Sequence, residues 1–390
     1  MTTPAYKWTF APRFRRNAFG WRSQPACQRV KEAVAEVKKA AKTDPALGAE
    51  GAVKFLEKVA PALEQVDSSS GAIGTAVNNA IDALVPIIAS APVDDKQRDK
   101  WLQRVWKAYE EDGYCYLDIM GDRWGELCAS PKMASRWVDH FIDTVRIHWK
   151  EAKRSPGGGG YYRGVSPCLS SLLVAGRYQE LIDLLELAPF PFWYYHRYGF
   201  FAIGRLHGKE AAMAFANGFD CKNDQFMIER DCEEFLLSIG EVEEAYQRFG
   251  LRNNQSNTHI NTFRALVKRY PHKEKTEILM DLIGSSPGAE GKWFATARKL
   301  GFRDLAMRLA TQSSSDPQTL NRAAKDTVES DPEFSLAVSM ASIHWLCQGG
   351  GYEITGFDVL TPYRLALSAA ERLGKADEVK QKIEKLILRT

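Results

Sequence analysis

The sequence has little cysteine, and the arrangement of that cysteine fits neither a disulfide framework nor a zinc site. The seven cysteines are odd in number and scattered, and none belongs to a CxxC pair. Disulfide-stapled domains and tetrahedral zinc sites both use closely paired ligands. Cys221 and Cys232 with His207 form the only notable grouping, and its spacing matches no common ligand pattern. We therefore expect reduced, buried thiols, and we predict no metal and no other cofactor.

Long apolar runs and a large excess of charge are also missing. No stretch approaches the ~20 uninterrupted apolar residues of a membrane span, and the basic N-terminus lacks the apolar segment and cleavage site of a signal peptide. We expect a cytoplasmic protein that does not bind membranes. The net charge of +3 comes from 52 basic and 49 acidic residues. Binding to nucleic acid would therefore need a local basic patch.

A short sequence pattern with a turn at a glycine recurs along the chain. Small and apolar residues spaced three and four apart follow each glycine, which is typical of a helix restarting after a turn. The first two intervals are 32 residues and the third is 61. The glycines are Gly176, Gly208, Gly240, Gly301 and Gly374. A period near 32 predicts an all-α fold, an α-solenoid of stacked antiparallel helical hairpins similar to tetratricopeptide (TPR) proteins.

Proline and glycine also indicate the organisation of the chain. Asp-Pro pairs at 44–45, 316–317 and 331–332 predict helix starts, because aspartate caps free amides and proline fits the first turn. Four consecutive glycines, 157–160, are too flexible for a helix. We predict a basic aromatic arm over 1–24, a helical region over 25–155, a glycine-rich loop over 156–164 and a repeat region over 165–390.

Three stretches of the N-terminal half carry a family resemblance. They are Leu63–Gly74, Tyr109–Tyr114 and Trp124–Leu127. The chain resembles an uncharacterised bacterial all-helical family, related to helical regions found behind SWIM-type zinc fingers. The resemblance implies a cytosolic bacterial helical protein of unassigned function. The CxC…CxH ligands of the finger are missing from this sequence, so the resemblance does not imply zinc-dependent DNA binding.

The stretch 190–201 is crowded with aromatic rings. A helix that is aromatic on every side does not bury all its rings in one seam, so some rings are expected to line a concave surface. Rings beside arginines are typical of surfaces that bind peptides. The predicted partner-binding residues are Phe192, Trp193, Tyr194, Tyr195, Arg197 and Arg205. The alternative is that the rings only fill a wide core between helices.

The stretch 6–29 mixes aromatic rings with arginines, a combination suited to phosphate contact and base stacking. The candidate nucleic-acid-binding residues are Arg13, Arg15, Arg16, Arg22 and Arg29. The alternative is an arm whose rings pack on the first helices while its arginines stay in water. Nucleic-acid binding requires the arginines to share one surface.

Two weaker patterns complete the candidate sites. Ser68, Ser69, Ser70 and Gly71 precede a helix, where free amides favour an anion; the alternative is an ordinary helix cap. The acids between 229 and 234 resemble a carboxylate cluster, and on helices such charges usually form the solvated face. An enzyme, for example one with an unrecognised hydrolase-type site, would need them in one cleft with His196 and His207.

No set of residues in the sequence has the pattern of a catalytic site. The sequence therefore predicts a non-catalytic helical-repeat scaffold that binds a protein or peptide partner. The alternative function is association with nucleic acid through the basic arm. The identity of the partner and the oligomeric state do not follow from these patterns.

Overall fold

The protein is all-helical in the computed structural model. The structure describes residues 6–154, 162–220 and 222–388, and these ranges contain no β-strand. The chain divides into two compact units, Met1–Asp231 and Cys232–Thr390. The predicted all-α class is thus confirmed for the described residues.

The helices of the first unit are mostly longer than those of the second. They are α1 (Ser23–Thr43), α2 (Pro45–Leu63), α3 (Ala72–Ser90), α4 (Asp95–Glu111), α5 (Ile119–Asp122), α6 (Trp124–Cys128), α7 (Pro131–Arg154), α8 (Val165–Ala175), α9 (Tyr178–Leu185), α10 (Trp193–His207) and α11 (Lys209–Asn217). A short 3-10 helix, Ala11–Arg13, precedes them. The next helix, α12 (Gln225–Ser238), crosses the boundary between the units.

The second unit contains shorter helices, with a π-helical turn at Tyr246–Gly250. The helices are α13 (Val242–Ala245), α14 (Leu251–Asn253), α15 (His259–Arg269), α16 (Lys275–Gly284), α17 (Phe294–Lys299), α18 (Arg303–Gln312), α19 (Pro317–Thr327), α20 (Pro332–Cys347), α21 (Gly356–Arg372) and α22 (Ala376–Ile387).

The predicted Asp-Pro caps are confirmed. Asp44 accepts a hydrogen bond from the amide of Leu47, and α2 begins at the proline between them. Asp316 and Asp331 cap α19 and α20 in the same way. Each aspartate uses an amide that the helix itself leaves unpaired, so the position of the cap fixes where the helix starts.

The five recurring glycines all adopt the left-handed backbone that a tight turn between helices requires. Their φ angles lie between 68° and 85°. Each glycine stands between two helices: Gly176 joins α8 to α9, and Gly374 joins α21 to α22. A residue with a Cβ atom is strained in this conformation. The sequence therefore correctly located these five turns between helices.

One hydrophobic core occupies the first unit and reaches from Trp8 to Ala202. It includes side chains from both sides of the predicted glycine-rich loop; the ring of Trp149 on α7, for example, lies 5.8 Å from that of Tyr195 on α10. The loop prediction falls mainly on residues 155–161, which are outside the described ranges. The compact units divide between Asp231 and Cys232. Helices before and after residues 155–161 share this core, and the predicted domain bounds stay a prediction.

Among the described residues, one helix is long and apolar enough to cross a membrane. This helix is α3, Ala72–Ser90. Ile81 and Leu84 of this helix are fully buried in the core of the first unit, whereas Ile87 is only partly buried. The core helix of a soluble protein passes the same test of length and composition, so α3 is weak evidence for a membrane span.

Candidate functional site

The aromatic stretch 190–201 begins at an exposed turn and continues into α10. Trp193 is completely buried. Its indole nitrogen donates a hydrogen bond to Asp231 Oδ2 at 2.7 Å, and its ring packs near Phe200 and Phe219. A completely buried indole offers a partner no accessible surface, so the ring of Trp193 packs in the core in this structure.

The tyrosines of α10 form an internal polar network. The hydroxyls of Tyr194 and Tyr198 donate to the same oxygen of Asp122, at 2.9 and 2.8 Å. The hydroxyl of Tyr194 also lies 3.0 Å from Ser166 Oγ. Burial, together with the negative charge of Asp122, raises the pKa of Tyr194. These tyrosines therefore remain neutral donors that connect α10 to α5 and α8.

The remaining predicted residues of this stretch differ in exposure. Phe192 is half exposed and stacks on Phe190 with ring centroids 5.3 Å apart. Arg205 is exposed. Arg197 is partly buried, with Nε 3.9 Å from Asp231 Oδ2 and its guanidinium over the ring of Tyr198. Of the six predicted partner-binding residues, Phe192 and Arg205 are thus the two that are open to solvent.

The N-terminal segment 6–22 is anchored to the first helices by its aromatic rings. Phe10 and Phe14 are buried and contact Phe55 of α2, with ring centroids 6.2 and 5.6 Å apart. The backbone is held as well, because Glu36 accepts hydrogen bonds from the amides of Thr9 and Phe10. This packing agrees with the alternative in which the rings of the arm lie on the helices and its arginines face water.

Four of the five predicted arginines meet at one surface recess of about 450 Å³, hereafter the arginine recess. It is lined by Pro12, Arg13, Arg15, Arg16, Ala18 and Arg29. Arg22, the fifth arginine, is exposed and is not part of this lining. The sequence alone does not predict that Arg29 of α1 lies beside Arg13, Arg15 and Arg16.

The Ser68–Gly71 turn is closed by its own hydrogen bonds. Asp67 accepts from the amide of Ser69 at 3.0 Å, and this bond holds the pKa of Asp67 below its ordinary value. Ser68 accepts from the amide of Gly71, and Ser70 Oγ accepts from that of Ala72. This geometry is that of a capping turn before α3, and anion binding there stays a prediction.

The acidic run 229–234 is not uniformly solvated. Asp231 and Glu233 are buried. Glu233 accepts from Tyr270 at 2.6 Å and also from Asn253 and Asn254. Both carboxylates therefore support packing within their own units, which differs from the solvated face expected from the sequence.

The histidine, cysteine and acidic side chains of the described ranges do not form a metal-binding group. No group of three or more histidine, cysteine or acidic side chains is placed there to hold a metal ion. Cys128 and Cys168 are buried, and burial raises the pKa of Cys128 to about 12, so its thiol is protonated. Cys221 of the predicted Cys–His grouping lies outside the described residues.

Sequence reasoning missed an apolar groove between α20, α21 and α22, hereafter the apolar groove. It encloses about 300 Å³ and is lined by Ile343, Leu346, Cys347, Val359, Leu360, Tyr363, Ile383 and Ile387. Val359 and Leu360 are 50% and 52% exposed, and Phe357 beside them is 73% exposed. The apolar residues in the first turns of α21 are the feature of the sequence that could have predicted this groove.

A second hollow of about 460 Å³ adjoins this groove and shares Cys347 with it. Its lining adds His344, Lys382 and Lys385 to apolar side chains. Lys382 pairs with Glu378 at 2.6 Å, whereas no carboxylate of the described residues pairs with Lys385. No acidic side chain belongs to the described lining of either hollow.

The resemblance to helical regions behind SWIM-type zinc fingers stays a prediction. Comparison of the chain with family models, with curated proteins and with solved structures finds no match.

Proposed function

We propose that the protein is a non-catalytic helical scaffold that binds a protein partner through the apolar groove. The observation that carries this proposal is the cluster of exposed apolar side chains in the first turns of α21, beside a groove with an apolar lining. Monomeric soluble proteins rarely leave such patches uncovered, and the patches mark interaction sites. The binding surface proposed here therefore lies on α20–α22 and not on α10, where Trp193 is buried.

The occupant that fits the groove best is an amphipathic helix of the partner with an acidic polar face. A groove between helices receives the apolar side chains of a helix at positions i, i+3, i+4 and i+7. Lys382 and Lys385 lie on the adjoining hollow, and no carboxylate lines either hollow in the described chain. Acidic residues on the partner helix would therefore meet complementary charge.

The recurring glycine turns are consistent with the same proposal. Five glycines with positive φ stand between consecutive helices, and we propose that these helix pairs are TPR-like repeats that stack as a solenoid. Such repeats serve as binding scaffolds because each hairpin needs a neighbour to cover its apolar face. A bacterial origin and a cytoplasmic location are part of this proposal.

The test uses the full chain and a synthetic helical peptide with leucines on one face and glutamates on the other. We expect saturable binding by fluorescence anisotropy. Leu360→Glu places a charge at the mouth of the groove and is expected to weaken binding by about tenfold or more, the effect of losing one buried leucine contact. A peptide with lysines in place of the glutamates should bind more weakly.

The matched control is Leu206→Glu, since Leu206 on α10 is also exposed but is not part of the groove. It should leave the affinity unchanged. Equal loss of binding in both variants, or no binding of the acidic peptide to the unchanged protein, would contradict the proposal. A concentration-dependent dimer that Leu360→Glu dissociates would instead assign the groove to a second copy of the chain.

A further inference from the structure

We propose that the arginine recess binds a phosphate group. This site belongs to the first unit and does not depend on the function proposed for the apolar groove. Its residues are Arg13, Arg15 and Arg16, which precede α1, and Arg29 on α1. The chemistry is shared by two sources, the phosphate of a small molecule and the backbone of a single-stranded nucleic acid.

The packing of the segment holds the recess open to solvent. Buried rings alternate with exposed arginines along the chain: Phe14 and Phe19 point into the core, while Arg15 and Arg16 between them are exposed. The amide of Asn17 donates to the carbonyl of Pro61 at 3.0 Å and ties the segment to α2. The arginines therefore extend from an ordered backbone, which reduces the entropy lost when a ligand binds.

Two of the four guanidinium groups are already paired with carboxylates. Arg16 forms a two-point contact with Glu64, at 2.7 and 3.0 Å. Arg13 lies 2.8 Å from Glu32. Arg13, Glu32 and Arg16 are exposed, whereas Glu64 is 21% exposed; ion pairs with an exposed partner hold weakly. Both arginines can exchange a carboxylate for a phosphate oxygen at small cost.

The other two arginines contact backbone carbonyls in place of carboxylates. Arg15 donates from Nε to the carbonyl of Pro12, and Arg29 donates from one terminal nitrogen to the carbonyl of Ala18. No carboxylate within the described ranges forms an ion pair with Arg15 or Arg29. The guanidinium of Arg29 also lies 5.0 Å from the centre of the Phe19 ring, which fixes its position.

The charge of the recess matches that of a phosphate. Four guanidinium groups face two carboxylates, Glu32 and Glu64, which leaves two positive charges. A phosphomonoester carries about −1.5 to −2 at neutral pH. Arginine also supplies paired N–H donors that match phosphate oxygens, and such charge-assisted bonds are roughly twice as strong as neutral ones.

The experiment titrates the full chain with three probes: inorganic phosphate, pyrophosphate and a single-stranded oligonucleotide of about 16 nucleotides. Arg15→Gln and Arg29→Gln together are expected to weaken binding by about tenfold or more, because each removes charge-assisted hydrogen bonds. The matched control is Arg22→Gln, an exposed arginine of the same segment outside the recess, which should change the affinity less than about twofold.

A variant that should bind more tightly distinguishes an effect on the binding site from an effect on folding. Glu64→Gln removes the carboxylate that holds Arg16 and should tighten binding of the same probes, a result that partial unfolding does not produce. Pyrophosphate that binds and displaces the oligonucleotide would assign the recess to compact phosphates. Oligonucleotide binding without pyrophosphate binding, with an affinity that falls as salt rises, would assign it to a nucleic-acid backbone.

Three results would overturn the proposal. The first is that none of the three probes binds to the unchanged protein. The second is that Arg22→Gln weakens binding as much as the double variant, since the recess would then not be distinct from the general basic surface. The third is that Glu64→Gln leaves the affinity unchanged or lowers it.

Discussion

The stretches 6–29 and 190–201 both combine aromatic rings with arginine, yet the fold uses these side chains differently in the two places. In 6–29 the rings of Phe10 and Phe14 are buried, and Arg13, Arg15 and Arg16 face solvent at one recess. In 190–201 the buried Trp193 holds a carboxylate, and Arg197 lies close to the same carboxylate. Aromatic and arginine content therefore does not identify a binding surface by itself. Which rings are buried in the core decides which neighbouring side chains remain accessible to a ligand.

The largest effect that tests this comparison is expected from Trp193→Ala. The side chain is completely buried, and its loss leaves a cavity and takes the indole donor from Asp231. We expect the free energy of unfolding to fall by about 3–5 kcal/mol. Urea unfolding followed by circular dichroism measures this change.

The matched control for this variant is Phe192→Ala, at the half-exposed ring next along the chain. It should change the free energy of unfolding by less than about 0.5 kcal/mol. If Trp193→Ala were equally harmless, the indole would have to be a surface group, and the contrast between the two stretches would disappear.

A somewhat smaller effect is expected from Phe14→Ala in the N-terminal segment. Phe14 packs against Phe19 and Phe55, with ring centroids 4.7 and 5.6 Å apart. The variant should destabilise the protein by about 3 kcal/mol and should also weaken phosphate binding, because the ring positions the backbone that carries Arg13 and Arg15.

The control is Arg15→Gln, which removes an exposed side chain and should leave the midpoint of thermal unfolding unchanged while it weakens phosphate binding. Loss of stability in Arg15→Gln, or unchanged phosphate binding in Phe14→Ala, would show that rings and arginines of this segment are not divided between anchoring and binding.

Much of the fold could be predicted from local sequence. The glycine joints and the Asp-Pro caps depend on the backbone preferences of one or two residues, so Gly240, Gly301 and Asp44 appear in the structure where the sequence placed them. The division of the chain depends instead on packing between distant helices. The contact between Trp149 and Tyr195 crosses the predicted loop and has no local signal.

The candidate sites were less predictable for the same reason. The arginine recess needs Arg29 on α1 to meet arginines that precede the helix, and this depends on how the segment folds back. The apolar groove joins residues of three helices, such as Ile343, Leu360 and Ile383. Ile387 of the last helix, α22, is 55% exposed beside the groove.

An intermediate effect is expected from the tyrosines that bind Asp122. Tyr194→Phe and Tyr198→Phe each remove one hydrogen bond to the same carboxylate oxygen, and each should cost about 1–2 kcal/mol. Because the two share an acceptor, the double variant should depart from additivity. Thermal unfolding of the single and double variants measures this coupling, and strict additivity would argue against a shared network.

The smallest effect concerns pH. Burial lowers the pKa of His196, which also packs 5.1 Å from the ring of Phe219. The folded state therefore favours neutral imidazole, and the unfolded state takes up protons first as pH falls below about 6.5. His196 consequently destabilises the fold in mild acid and not at higher pH. In the N-terminal segment, by contrast, the hydrogen bond from Arg13 lowers the pKa of Glu32 from 4.5, so that pair responds only in stronger acid.

His196→Gln should therefore reduce the loss of thermal stability between about pH 7.5 and about pH 5.5. His259 in the second unit, whose pKa is lowered by burial and by Lys292, retains its own pH dependence in this variant. His259→Gln serves as the parallel measurement, because its effect should add to that of His196→Gln. If His196→Gln loses as much stability on acidification as the unchanged protein, the imidazole is accessible to protons, and α10 is less tightly packed at this position than its rings indicate.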